Sequence, residues 1–290
     1  MSSLSDDLAQ FIADIVPDGA VRSRTAMLAG AAISAAAAGA GSSAVRTVLA
    51  AIDVVPDGPA GPIVTEVRTT VMDAALVTGT AAAAGGGPDP EHRVVAAVVA
   101  AGLAHAELEP VTGPALLDAL AVGIEIALRL RSAVGQPYVD RGWDVAGVAG
   151  SVGAAAAVAR LAATSVDVTN QALGVAATQG AGLRAARDSD VWMLHVGKAA
   201  ANGVEATLLC AAGFSGPPAG IEGRRGFLPV AAPEGDSSVL TLDLGARWHL
   251  IDLHPDGSVA LLDGLVSALE GDDEVVARIR EVSRTGLGAA

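Results

Sequence analysis

The sequence predicts a mostly α-helical protein, and three observations carry that expectation. Ala-rich segments long enough for helices, without the β-branched alternation of strands, fill the space between Gly- and Pro-rich punctuation. No alternation of strand and helix signals runs along the chain, so a parallel sheet with crossover helices is not expected. Only seven of 290 residues are aromatic (three Trp, one Tyr and three Phe), so the core has to come from Ala, Val and Leu. Such a core brings helix backbones close together.

The punctuation is explicit at Val16-Pro17-Asp18-Gly19, Val55-Pro56-Asp57-Gly58-Pro59, Gly85-Gly86-Gly87-Pro88, Gly213-Phe214-Ser215-Gly216-Pro217-Pro218 and His254-Pro255-Asp256-Gly257. In each, Pro presets one backbone angle and Gly supplies positive φ. Between them the helical segments are, in order, 8–15, 22–38, 63–84, 94–108, 114–134, 145–163, 168–183 and 193–212, with 261–269 and 273–282 near the end. Thr112 is placed to cap the helix that begins with Pro114, and Asp167 or Thr169 the one that runs through Leu173. Within 145–163, Gly147, Gly150 and Gly153 recur at every third position. Three glycines weaken a helix, so they predict close approach of another backbone. Only 238–253 reads as strand, with 239–242 and 248–253 flanking Gly245 as a short hairpin. The expected organisation is an all-helical domain over 1–225 and a short appendix over 226–290, made of the hairpin and C-terminal helices.

Composition excludes several function classes. With 51% hydrophobic and 17% charged residues the chain is not disordered. Eighteen basic against 32 acidic residues give a net charge of −14, the wrong sign for neutralising phosphates, so no nucleic-acid partner is expected. The single cysteine, Cys210, has no internal disulfide partner and lies in an apolar run, which fits a reducing, cytoplasmic setting. The start, Met1-Ser2-Ser3-Leu4-Ser5-Asp6-Asp7, is acidic where a signal peptide is basic. The longest uncharged stretch, 25–45, is mostly Ala, Gly and Ser, too weakly apolar for a bilayer span, so no membrane association is expected.

Familiar catalytic motifs are sparse. Gly39-x-Gly41-x-x-Ala44 and Gly180-x-Gly182-x-x-Ala185 loosely match a dinucleotide fingerprint, but neither follows a strand, so no nucleotide or other cofactor is expected. There is no Gly-x-Ser-x-Gly elbow, P-loop or His-Glu-x-x-His. Of the five histidines, His92, His105, His195, His249 and His254, no pair has metal-ligand spacing on one helix face, and no metal is expected. A lone His beside an apolar run is usually a hydrogen-bonded core residue. His92 and His195 stand apart because each sits at a segment start, where a side chain reaches a cavity.

The middle of the chain carries a resemblance. Arg141-Gly142-Trp143-Asp144-Val145-Ala146-Gly147-Val148-Ala149-Gly150 leads into Gly153-Ala154-Ala155-Ala156-Ala157-Val158-Ala159-Arg160-Leu161. Ala172-Leu173-Gly174-Val175-Ala176-Ala177-Thr178-Gln179-Gly180-Ala181-Gly182-Leu183 and Leu194-His195-Val196-Gly197-Lys198-Ala199-Ala200-Ala201-Asn202-Gly203 follow, then Gly213-Phe214-Ser215-Gly216-Pro217. Upstream stand Thr112-Gly113, Leu116-Leu117-Asp118-Ala119-Leu120, Gly123-Ile124-Glu125 and Arg129-Leu130. In this order, from about residue 5 to 265, they resemble the MmgE/PrpD family of 2-methylcitrate dehydratases, cis-aconitate decarboxylases and their relatives. The resemblance implies a helical main domain, usually paired as a homodimer, with an active site at its edge against an α+β lid domain. The sequence ends at Ala290, about where that lid would begin, so the lid is expected to be absent or vestigial.

Matching the family's site positions exposes departures. The family's first site histidine is Ala83 here and its first acid Gly86, in a shortened glycine loop. His92 matches the next histidine, with Arg93 after it where the family has Pro. Asp144 stands for the histidine of a Gly-Trp-His motif, and Trp192 for a lysine three residues before His195. Two later site residues, a Lys and a His, fall at apolar positions around Ile251 and Val259. The resemblance thus implies His92 and Asp144 as a proton-handling pair facing one pocket, with Trp192, His195 and Trp143 as substrate-binding residues. A simpler role for Asp144 is to cap the helix opening at Val145, which would keep its carboxylate ionised and a poor general acid. Exchanging Lys and His for Trp192 and Asp144 removes cations that a tricarboxylate needs and adds an anion. The expectation is a cofactor-independent isomerase, cyclase or lyase for a less charged, more apolar substrate, such as a specialised metabolite. The alternative is a non-catalytic binding or assembly protein derived from the helical domain.

Overall fold

Twelve helices form among the described residues of the computed structural model, which are 3–255, 259–271 and 275–287. They are α1 (Leu4–Asp14), α2 (Gly19–Gly39), α3 (Ser43–Ala51), α4 (Val71–Gly85), α5 (Pro90–His105) and α6 (Gly113–Asp140). After these come α7 (Val145–Leu161), α8 (Val166–Gln179), α9 (Val191–Ala211), α10 (Phe227–Ala231), α11 (Val259–Leu269) and α12 (Val275–Leu287). Their starts are written in short polar side chains. Ser3, Asp18, Ser42, Thr70, Asp89, Thr112, Asp144 and Ser165 each accept a hydrogen bond from a backbone N–H two or three residues on, meeting donors that the helix itself leaves unpaired. Thr112 caps as the sequence predicts, whereas Ser165, not Asp167 or Thr169, caps α8.

The core sits around α7. Every residue from Val145 to Ala159 is buried, because α5, α6, α8 and α9 pack around this helix. Its glycines do bring backbones together. A Cβ on Gly153 would lie 2.6 Å from the Gly123 carbonyl oxygen of α6 and 2.5 Å from the Ala127 Cβ. Gly153→Ala should therefore lower stability, measured as the urea midpoint. The gain in helix propensity is about 1 kcal/mol, while overpacking against backbone typically costs about 1–3 kcal/mol. The neighbouring pair α4 and α9 uses the same device where Gly79 meets Gly197. α2 covers α4, and α11 closes over α2 and α6. Arg280 of α12 ties this end down by donating to the carbonyls of Pro62 (2.9 Å) and Thr65 (3.1 Å).

Several local expectations need correction. α4 starts at Val71 rather than near residue 63, because Thr70 caps it and Thr69 pairs with Ala60 in an isolated antiparallel bridge. Helix α3 forms where none is expected, and α6 runs on to Asp140 through a bend at Gly135 (φ 63°). The hairpin at 238–253 is absent: no strand occurs among the described residues, and Ser237–Leu240 and His249–Ile251 are single 3-10 turns.

Two fully buried residues of α6 explain that last difference. Arg129 Nε is paired with Glu125 at 2.7 Å, both side chains having no exposed surface. The Arg129 guanidinium also donates to the carbonyls of Val239 (3.1 Å), Leu242 (2.8 Å) and Arg247 (2.7 Å). Glu125 in turn accepts the Leu250 N–H at 3.2 Å. Backbone groups that a strand ladder would need are taken by this ion pair, and the segment becomes a strap across α6.

No single helix among the described residues is long and apolar enough to cross a membrane; α2 and α3 reach that composition only as a pair bent by 86°.

Candidate active site

Three helix starts converge on one buried cluster. The first turn of α5 follows the Asp89 cap and carries His92 and Arg93. The N-cap of α7 is Asp144, and the first turn of α9 carries Trp192 and His195. The loop ahead of α9 closes the cluster from one side, its Gly182 carbonyl accepting the Asp144 N–H at 3.0 Å. Gly182 has φ +156°, and a Cβ there would stand 3.1 Å from His195 Nδ1 and 3.2 Å from Asp144 Cβ.

Asp144 is the hub. Its Oδ2 accepts from Arg93 Nη2 at 2.9 Å and lies 2.8 Å from His195 Nδ1, while Oδ1 accepts the Ala146 N–H at 3.2 Å. The residue is only 4% exposed and Arg93 2%. Burial alone would raise the Asp144 carboxyl, but the His195 hydrogen bond, the Arg93 charge and the Ala146 N–H outweigh it and hold Asp144 below the usual carboxylate range. Burial pushes the Arg93 guanidinium down, partly offset by Asp144, yet arginine keeps its proton in proteins. The pair is an ionised, buried salt bridge. Asp144 accepts from Nδ1–H and so fixes the His195 ring, with Nε2 turned away from the carboxylate.

Trp192 and Trp143 take different places. Arg93 Cζ sits 3.9 Å over the Trp192 ring, and Arg93 Nη2 donates to the Trp192 carbonyl at 2.9 Å. Trp192 also stands 5.9 Å from His195, ring to ring. Trp143 stacks on Tyr138 at 5.7 Å, away from these contacts, and Phe227 meets the other ring edge-on. Burial pushes the Tyr138 phenol up, with Asp144 adding to it.

His92 belongs to the rim of a cavity rather than to the Asp144 cluster. Its Nε2 lies 2.7 Å from the His254 carbonyl oxygen, which can only accept, so Nε2 carries a proton. Asp89 Oδ1 stands 3.5 Å from that Nδ1. The cavity, of about 230 Å³, lies between α2, α4 and the start of α5, walled by Leu28, Ala31, Ala35, Ala82 and the 85–87 glycines, with His92 and Arg93 at its edge. Asp144, Trp192 and His195 do not line it. His92 and Asp144, expected to share one pocket, are thus not both on this cavity: His92 and Arg93 line it, and Asp144 meets Arg93 from the cluster.

Arg93 also corrects the charge argument. The negative charge that Asp144 brings is offset by Arg93 at 2.9 Å, so it does not stand as a free anion. Sequence reasoning passed over this residue. Its signal was present: Arg93 opens the uninterrupted apolar run 94–104, and a cation at the head of a buried helix needs a carboxylate partner. Among the described residues, no group of three or more His, Cys, Asp or Glu side chains is placed to hold a metal ion.

Comparison with known proteins places this geometry. The MmgE/PrpD N-terminal domain pattern matches residues 6–239. A cis-aconitate decarboxylase-like protein, oryM of Aspergillus oryzae, is 34% identical over 173 residues. That alignment covers 55% of this chain and 36% of the relative's own length, so the chain spans about a third of the relative. The helical body around α7 and a family match running through most of the sequence lead to one assignment: the chain belongs to the MmgE/PrpD family.

Proposed function

We propose that the chain is a divergent MmgE/PrpD enzyme, an isomerase, cyclase or lyase, that works from the family's helical domain. Its substrate is less charged and more apolar than citrate-like acids. The cavity beside His92 and Arg93 carries the reading, because its wall is built of Ala, Leu, Val and Gly with few polar groups. A tricarboxylate would need several free cations there, and Arg93 is already committed to Asp144. The name of the oryM relative, a decarboxylase-like protein, supports the broader lyase class.

In this reading His92 moves the proton. The His254 carbonyl holds one ring nitrogen, and the other meets the substrate with Asp89 near enough to balance the imidazolium formed. Asp144 works with His92 through Arg93, fixing the guanidinium and orienting His195. Trp192 supports Arg93 through its ring, Asp144 holds His195, and Trp143 packs on Tyr138, so these three act from behind the cavity wall. The reading includes a symmetric homodimer burying more than ~1,000 Å², testable by light scattering at micromolar concentration. It also includes the division near residue 225 between the helical domain and the C-terminal stretch.

The test compares wild-type protein with His92→Ala on two samples. One holds cis-aconitate and 2-methylcitrate, the other the small-molecule fraction of source cells, followed by mass spectrometry. The expected result is consumption of a weakly polar compound by the wild type, slowed roughly 10²–10⁴-fold in His92→Ala, as for loss of a general acid–base group. Neither tricarboxylate should change. Turnover of either one, abolished by His92→Ala, would overturn the proposal. Identical profiles for the two proteins would also overturn it, in favour of a non-catalytic binding protein.

A further inference from the structure

Two side chains that line the α2–α4–α5 cavity each carry a buried nitrogen with no hydrogen-bond partner among the described residues: Arg93 Nε and His92 Nδ1. A buried polar atom left unpaired typically costs about 1–3 kcal/mol, so such atoms mark a place where a bound molecule completes the structure. The rest of the wall, apart from Ser34, is apolar. A cavity of about 230 Å³ exceeds the ~150 Å³ that holds benzene, so it takes a body somewhat larger than one aromatic ring.

The local charges choose the head group. Arg93 is neutralised by Asp144 at 2.9 Å, and Asp89 stands 3.5 Å from His92 Nδ1. Arg187 also acts on Arg93, but it is solvent-exposed and screened. A carboxylate in the cavity would be a second anion facing a cation already paired, in surroundings that solvate charge poorly. A neutral acceptor avoids that cost and still meets the unpaired Arg93 Nε–H.

We propose that this cavity binds an uncharged carbonyl compound, its oxygen accepting from Arg93 Nε–H and its compact apolar body lying among the Ala and Gly residues of α2 and α4. This rests on reading the cavity as the substrate site, and it adds the substrate's chemical class.

The test is binding alone, without turnover. The full chain is titrated with 2-octanone and with octanoate, which match in length but differ in charge, while amide resonances of 31–38 and 82–87 are followed by NMR. Two variants block the cavity from different helices, Ala35→Phe on α2 and Ala83→Leu on α4, so that a folding failure in one leaves the other. The expected result is saturable binding of 2-octanone at those amides, at least tenfold tighter than octanoate, and lost in the folded blocking variants. Octanoate binding equally or more tightly, with both ligands lost in the variants, would overturn the neutral class while leaving the cavity as the substrate site. No shift with either ligand, or shifts that persist in both variants, would overturn the cavity reading itself.

Discussion

Asp144→Ala is expected to destabilise the protein by about 3–5 kcal/mol, the usual cost of leaving a buried charge without its partner. Arg93 would keep its proton at 2% exposure with no carboxylate beside it, and α7 would lose its cap. Asp144→Asn separates the two losses, since Asn caps about as well as Asp but carries no charge. It should recover only the cap's share, about 1 kcal/mol. The pH dependence has a definite sign. The Asp144 carboxyl is depressed in the folded state, so its ionisation stabilises the fold above the unfolded carboxylate value, near pH 4, and that contribution is lost as pH falls through the folded value. Urea midpoints measured from pH 7 down to pH 3 should show the gap between wild type and Asp144→Asn narrowing below about pH 4. A gap independent of pH would mean that Asp144 is not ionised in the native protein.

The second large effect is expected at Arg129. Arg129→Met leaves Glu125 as a buried anion and strips hydrogen bonds from the carbonyls of Val239, Leu242 and Arg247. The loss should again reach about 3–5 kcal/mol, and residues 236–253 should become a site of limited proteolysis. Adding Glu125→Leu removes the orphaned charge and should restore part of the stability while leaving the strap open to protease. Full protection of the strap in the double variant would show that Leu240 and Leu250, both buried, hold it without the arginine.

Legibility in the sequence followed the range of the interactions. Local signals were reliable: Thr112 before Pro114 marks a true cap, and the glycines at 147, 150 and 153 mark a true close approach. Misreadings arose where a distant residue decides the backbone. The Val239–Leu242 stretch has strand composition, but Arg129 captures its carbonyls from more than a hundred positions away. Likewise Thr69 turns from helix to bridge because Ala60 pairs with it. At the candidate site, motif matching found Asp144, Trp192 and His195, which the structure brings together. It noted Arg93 only as standing where the family has Pro and gave it no role, because a proline carries no polar chemistry to hand on. Only the rule that a buried cation needs a partner leads to that residue.

The burial of α7 from Val145 to Ala159 has a consequence for how the protein breathes. Helices on the outside, such as α3 or α10, can open alone and let their amides trade hydrogen for deuterium at little cost. For Val145 to Ala159 no such route exists, since α1, α5, α6, α8 and α9 all pack on this helix. Their exchange should report the full free energy of unfolding. The N-cap of this helix is Asp144, so the cluster that joins Arg93 and His195 should stay anchored until the protein unfolds as a whole.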